Sequence, residues 1–71
     1  MPTNDPAYVD ARGMKCPWPA LRAARAMRST DRVMVEADDP IAPGELQALA
    51  RQQGWQFAAT GEHRFLLIRP V

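Results

Sequence analysis

The chain contains one cysteine, one histidine and almost no net charge, and each scarcity removes a class of function. A lone cysteine cannot close an internal disulfide, so a disulfide-stapled scaffold is excluded, as are a cysteine-only zinc site and a C-x-x-C redox pair. Nine basic residues against eight acidic ones leave a formal charge of +1, which gives no bulk electrostatic reason to bind nucleic acid or a membrane. The longest strictly aliphatic or aromatic run, Phe65-Leu66-Leu67-Ile68, is far too short to cross a bilayer. The opening "MPTNDP" lacks the basic start and apolar core of a secretory signal. A cytoplasmic protein is therefore expected, with no metal, no cofactor and no membrane partner.

What is present is patterned for a small domain. Residues 1–6, with two prolines, read as a flexible N-terminal tail, and 7–71 as a single domain. A chain of this length buries about 60% of the surface its unfolded form exposes, so its stability is modest. "AYVD" predicts a strand over 7–10, closed by Gly13 in a turn. From Pro17 to Arg28 the apolar Ala20, Leu21, Ala24 and Met27 recur at helical spacing, with Arg22, Arg25 and Arg28 off that stripe. "RVMVEA" alternates as a strand covered on one face. "DDP" then places Asp39 to cap a second helix, with Pro40 in its first turn. Leu46, Leu49 and Ala50 face one side of that helix, and Gly54 stops it. Pro43 and Gly44 leave its start open. "WQFAAT" and "RFLLIR" are two last strands around a "GEH" turn, the second apolar on both faces and so interior to its sheet. The order is βαβαββ: an α/β two-layer sandwich with two helices on one face of a mixed four-stranded sheet. The first two strands are parallel.

The lone cysteine stands in "DARGMKCPWPALRAARAMR", directly ahead of Pro-Trp-Pro. A residue before proline is pushed out of the helical region, which puts Cys16 at the junction ahead of the first helix. Pro17 suits the first helical position. With Cys16 as N-cap, Pro17 and Pro19 remove two amides, and Trp18 is the amide best placed to donate to the sulfur. The helix dipole, Lys15 and Arg12 then lower the thiol pKa from about 8.5 and keep the sulfur near the surface. The competing account is a small hydrophobe packed against the sheet.

The segment "DARGMKCPWP" resembles the signature of the TusA/SirA sulfur-carrier family, Asp-x-x-Gly-x-x-Cys-Pro-x-Pro, at Asp10, Gly13, Cys16, Pro17 and Pro19. "VEADDP" is similar to the family's second strand and its Asp-Asp-Pro turn, so the likeness covers nearly the whole chain. The resemblance implies the same βαβαββ sandwich. It also implies that Cys16 accepts a persulfide sulfur from a donor protein, such as a cysteine desulfurase or rhodanese, and relays it to an acceptor protein. In the family such relays serve tRNA thiolation, molybdenum cofactor supply or sulfur oxidation. Such a sulfurtransferase can act as a stoichiometric carrier rather than a turnover catalyst. This chain has Glu45-Leu46-Gln47 where the family often has Asp-Ile-Pro.

Around the cysteine, Asp10 and Gly13 are expected to shape the loop. Arg12, Lys15, Trp18, Arg22, Arg25 and Asp38 are expected to face a partner, the arginines as one basic flank with Arg28. In a parallel pair both strand-to-helix turns emerge at one sheet edge, so the Asp38-Asp39 turn neighbours Cys16. His63 lies on the predicted hairpin and has no route to Cys16. Two other function classes remain: a non-catalytic regulatory or interaction module, and an RNA-binding domain. The second lacks aromatic residues interleaved with the arginines. A peroxide-reducing thiol enzyme would need a resolving cysteine.

Overall fold

The computed structural model describes residues 6–70. Of the predicted tail over 1–6, residues 1–5 lie outside the described residues, as does Val71. Six elements follow in the expected order: β1 (Ala7–Asp10), α1 (Trp18–Ala26), β2 (Arg32–Glu36), α2 (Ala42–Gln53), β3 (Gln56–Gly61) and β4 (Arg64–Ile68). The sheet order is β1-β2-β4-β3, with β1 parallel to β2 and the other pairs antiparallel. The apolar run in β4 does place that strand inside the sheet, between β2 and β3.

Period-two alternation sends one set of side chains inward. Val33 and Val35 of β2 stand opposite Leu67 and Phe65 of β4, and all four are buried. Both helices lie over this face, adding Ala23 from α1, Met27 at its C-cap, and Leu46 and Ala50 from α2. Phe57 of β3 extends the layer by stacking on Phe65, ring centroids 5.9 Å apart, and Trp55 packs beside it. The other sheet face is open: Tyr8 pairs with Met34, and Met34 with Leu66, away from the helices.

The inward stripe of α1 is the predicted one slightly turned. Met27 is buried and Ala20 packs against the core as expected, while Pro19 and Ala23 are buried and Leu21 is 51% exposed. α2 ends as expected: Gly54 adopts a left-handed φ of 77° at the C-cap, where a side chain is strained. For the site, one register pair matters most. Asp10 aligns with Glu36 at the ends of β1 and β2, so the loops that follow, 11–17 and 37–41, leave the same sheet edge side by side.

Candidate functional site

The loop after β1 is built from hydrogen bonds to its neighbour. The Ala11 amide donates to the Glu36 carbonyl at 2.8 Å, continuing the parallel ladder one residue past the strand, and Met14 closes a turn on the Ala11 carbonyl at 3.1 Å. Gly13 takes φ 79°, a conformation that other residues rarely adopt, and its amide donates to Asp38 Oδ1 at 2.9 Å. The Cys16 amide donates to Asp39 Oδ2 at 2.7 Å, while Asp39 Oδ1 accepts from Ile41 at 3.0 Å. The two aspartates of the second loop thus fix the cysteine loop at both ends. Asp38 thus shapes the cysteine loop while remaining exposed on the rim of the thiol groove. Asp39 lies two residues ahead of the α2 N-cap, Ile41, which has no side-chain cap. Its carboxyl is held below the ordinary range by the Ile41 amide first and the Cys16 amide second.

Cys16 itself departs from the expected arrangement. The N-cap of α1 is Pro17, Trp18 opens the helix and Pro19 follows with its ring buried. The Cys16–Pro17 peptide bond is cis. The Trp18 amide donates to the Lys15 carbonyl at 2.9 Å rather than to the sulfur. Cys16 Sγ, half-buried, instead donates to Glu45 Oε1 on the first turn of α2. This contact reverses the expected acidity. The Glu45 carboxylate accepting the thiol proton, then burial, then repulsion by Glu45 and Asp39 push the Cys16 thiol up to about 11. A helix dipole and nearby cations cannot offset an acceptor in direct contact.

Nor does Arg12 point its charge at the thiol. Its guanidinium grips Asp10 in a fork, Nε to Oδ1 at 2.9 Å and Nη2 to Oδ2 at 3.0 Å, and reaches Glu36 Oε2 at 4.0 Å. Tyr8 completes the group by donating to Glu36 Oε1 at 2.6 Å. Asp10 is accordingly lowered to about 2, chiefly by the Arg12 side chain. Arg12 is thus engaged at the end of β1, with its side chain still 57% exposed.

Two grooves meet at the cysteine loop. One, of about 470 Å³, is lined by Gly13, Met14, Lys15, Cys16 and the 38–41 loop. Ile41 on its rim is 61% exposed. The second, of about 480 Å³, is lined by Met14, Trp18, Arg22 and Arg25, and Trp18 there is 59% exposed. Met14 lines both, so the thiol groove and the arginine groove are adjacent. Arg28 lies away from them, in a groove with Met27, Gln53 and Trp55. Arg28 follows the C-cap Met27, in the turn after α1, and so leaves the flank that Arg22 and Arg25 share. His63 is exposed on the β3–β4 turn, where its carbonyl accepts from the Ala37 amide at 2.9 Å, and it is not among the groups that shift Cys16.

Sequence reasoning passed over Glu45 as a site residue. It lies 29 positions from Cys16, and only the start of α2 decides which residue of its first turn faces the thiol. Pro43 and Gly44 obscured that start. The one available signal was an acidic residue within a turn of the expected helix N-terminus, on the loop already known to neighbour Cys16.

Known proteins resemble this chain in sequence and in fold. Two Neisseria meningitidis proteins, "Putative sulfur carrier protein NMA0882" and "Putative sulfur carrier protein NMB0681", are each 45% identical to this chain over 49 residues. The aligned part is 65% of this chain and 66% of each relative, just under two thirds of their length. The crystal structure of a SirA-like protein from Desulfitobacterium hafniense superposes with a TM-score of 0.74 at 26% identity, covering 87% of this chain and 95% of that one. The model of the family described as "Sulfurtransferase TusA" matches residues 7–69, which takes in every strand, both helices and both loops around Cys16: the chain belongs to the TusA sulfurtransferase family.

Proposed function

We propose that the protein is a sulfur carrier whose relay atom is Cys16 Sγ. The observation that carries this reading is the placement of the only cysteine, half-buried but open to a groove, on a loop that two aspartates hold in position. Such a thiol is reachable by the sulfur of another protein, and its backbone does not have to reorganise on contact. The relatives named as sulfur carriers support the same reading.

In the loading step Sγ attacks the outer sulfur of a donor persulfide. The Sγ–S bond forms, the donor's S–S bond breaks, and the donor cysteine leaves as a thiolate that takes up the proton lost from Cys16. The sum, donor–S–SH plus Cys16–SH giving donor–SH plus Cys16–S–SH, needs no oxidant or reductant. Delivery is the same exchange with an acceptor protein as the attacking thiol. A reducing compartment suits this use, since a lone thiol persists there. The donor is a persulfide-bearing protein of the cysteine desulfurase or rhodanese kind.

Mass analysis after exposure to a persulfide-bearing donor protein tests the reading. Wild type gains one sulfur, removable by a thiol reductant, and Cys16→Ser gains none. Serine can still donate to Glu45, so this variant loses under about 1 kcal/mol of stability. If wild type gains no sulfur from any persulfide, the protein is a non-catalytic interaction module.

A further inference from the structure

A nucleophilic thiol is ordinarily set beside cations or amides that favour its anion. Here every titratable side chain acting on Cys16 is acidic: Glu45 in direct contact with Sγ, and Asp39 beneath the Cys16 amide. Asp38 lines the same groove. The one cation there, Lys15, acts on Asp39. Among the described residues the ion pairs are those of Arg12 with Asp10 and Glu36, and none reaches Glu45. Glu45 is therefore a half-buried carboxylate, unpaired with a cation, in contact with the reacting atom.

We infer that Glu45 is the specificity-determining residue of the site: its carboxylate restrains the Cys16 thiol and repels anionic reagents, so that Cys16 is loaded by a donor protein presenting a cationic side chain to Glu45 and not by free persulfide or polysulfide anions. The inference rests on the sulfur-carrier reading for its biological sense, but not for its chemistry. Small persulfides are largely anionic at neutral pH, and their approach would place a third negative charge beside Glu45 and Asp39. A lysine or arginine delivered by a docked donor would pair with Glu45 and lower the cost of the thiolate in one contact, the thiol proton passing to the departing donor thiolate as in the loading step. Opposite charge close to the reacting group favours the charged form in this way.

The test uses the full chain and two thiol reagents of like size and opposite charge, cationic aminoethyl and anionic sulfonatoethyl methanethiosulfonate. Wild type reacts with the cationic reagent in preference to the anionic one by at least about tenfold more than a free cysteine peptide does. Glu45→Gln brings that ratio close to the peptide's, while Glu45→Asp, which keeps the charge, retains most of it. Neutral iodoacetamide reacts faster with Glu45→Gln at pH 7. A full return of the thiol from about 11 to 9.0 would raise the thiolate fraction about 100-fold; burial and Asp39 persist in Glu45→Gln and keep the gain below that figure. Glutathione persulfide, itself anionic, loads Glu45→Gln faster than wild type by a larger factor than iodoacetamide shows. A wild-type charge preference equal to the peptide's, or one that Glu45→Gln leaves unchanged, overturns the inference, as does slower alkylation of Glu45→Gln. If the charge preference holds but neither form ever gains sulfur, the restraint on the thiol stands and the carrier reading falls. If both forms load at the same rate with no charge preference, the carrier reading stands and the role of Glu45 falls.

Discussion

At the residue scale the protein works against the acidity of its own thiol and with the acidity of its carboxyls. Ultraviolet absorbance of the thiolate should show Cys16 titrating toward about 11. The midpoint should fall in Glu45→Gln, since the hydrogen bond to Glu45 is the largest cause of the shift. A wild-type midpoint at or below that of a cysteine peptide would contradict the geometry. Carboxyls give the opposite dependence. Asp10 is lowered to about 2 by the Arg12 fork, and Asp39 is lowered by two backbone amides. A group whose folded pKa is depressed contributes its full stability above the unfolded value, near 3.8 for aspartate, and loses it as pH falls through the folded value. Thermal melts between pH 4 and pH 2 should show wild type losing stability over this window. Asp10→Asn should lose less over the same window, because its contribution is already absent at neutral pH. Equal losses in both would mean that the fork adds nothing in solution, which is the common outcome for exposed pairs.

At the scale of elements, the load falls on the two helices where they meet the sheet. Leu46 is fully buried on α2, and Leu46→Ala should cost about 2–4 kcal/mol by lost transfer energy and the cavity left behind. Pro19 is the less obvious case. Its ring is fully buried, so Pro19→Ala should cost about 1–2 kcal/mol by urea denaturation and should not behave as a mere loosening of the cysteine loop. The element order, the parallel β1–β2 pair, the interior β4 and the Gly54 stop were legible in the sequence because each rests on a local signal: alternation, an apolar run, a glycine after a periodic segment. The exposure of Leu21 was not, because how α1 is turned on the sheet depends on packing partners distant in sequence and not on its own periodicity. The same limit applies to the site. The neighbouring of Cys16 and the Asp38-Asp39 loop follows from parallel topology and was legible. The Glu45 contact and the Arg12–Asp10 fork depend on side-chain directions at element ends, which spacing alone does not fix.

At the scale of the whole molecule, near-neutrality conceals a division of charge across the cysteine loop. Asp38, Asp39 and Glu45 surround one side of Cys16. On the other side Arg22 and Arg25 share a groove with Trp18 and Met14, and among the described residues neither arginine is in an ion pair. A partner complementary to this surface carries acidic side chains opposite α1 and a cation opposite Glu45. The first pairing acts at a distance and the second only on contact. Exposed charge acts mainly on association rate and is screened over about 8 Å at physiological ionic strength. Reversing Arg22 and Arg25 to Glu should therefore slow sulfur transfer between proteins, by about tenfold or more at low salt and much less at high salt. The rate with neutral iodoacetamide should hardly change, since neither arginine is among the groups that shift Cys16. Arg28→Glu serves as a matched control: it changes the net charge in the same sense but lies in a different groove, so its effect at low salt should be smaller than that of either Arg22→Glu or Arg25→Glu alone. Transfer that is insensitive to the double reversal at low salt, or equally sensitive to Arg28→Glu, would show that net charge and not this groove governs the encounter, and docking would then have to be sought on the exposed Trp18 and Ile41.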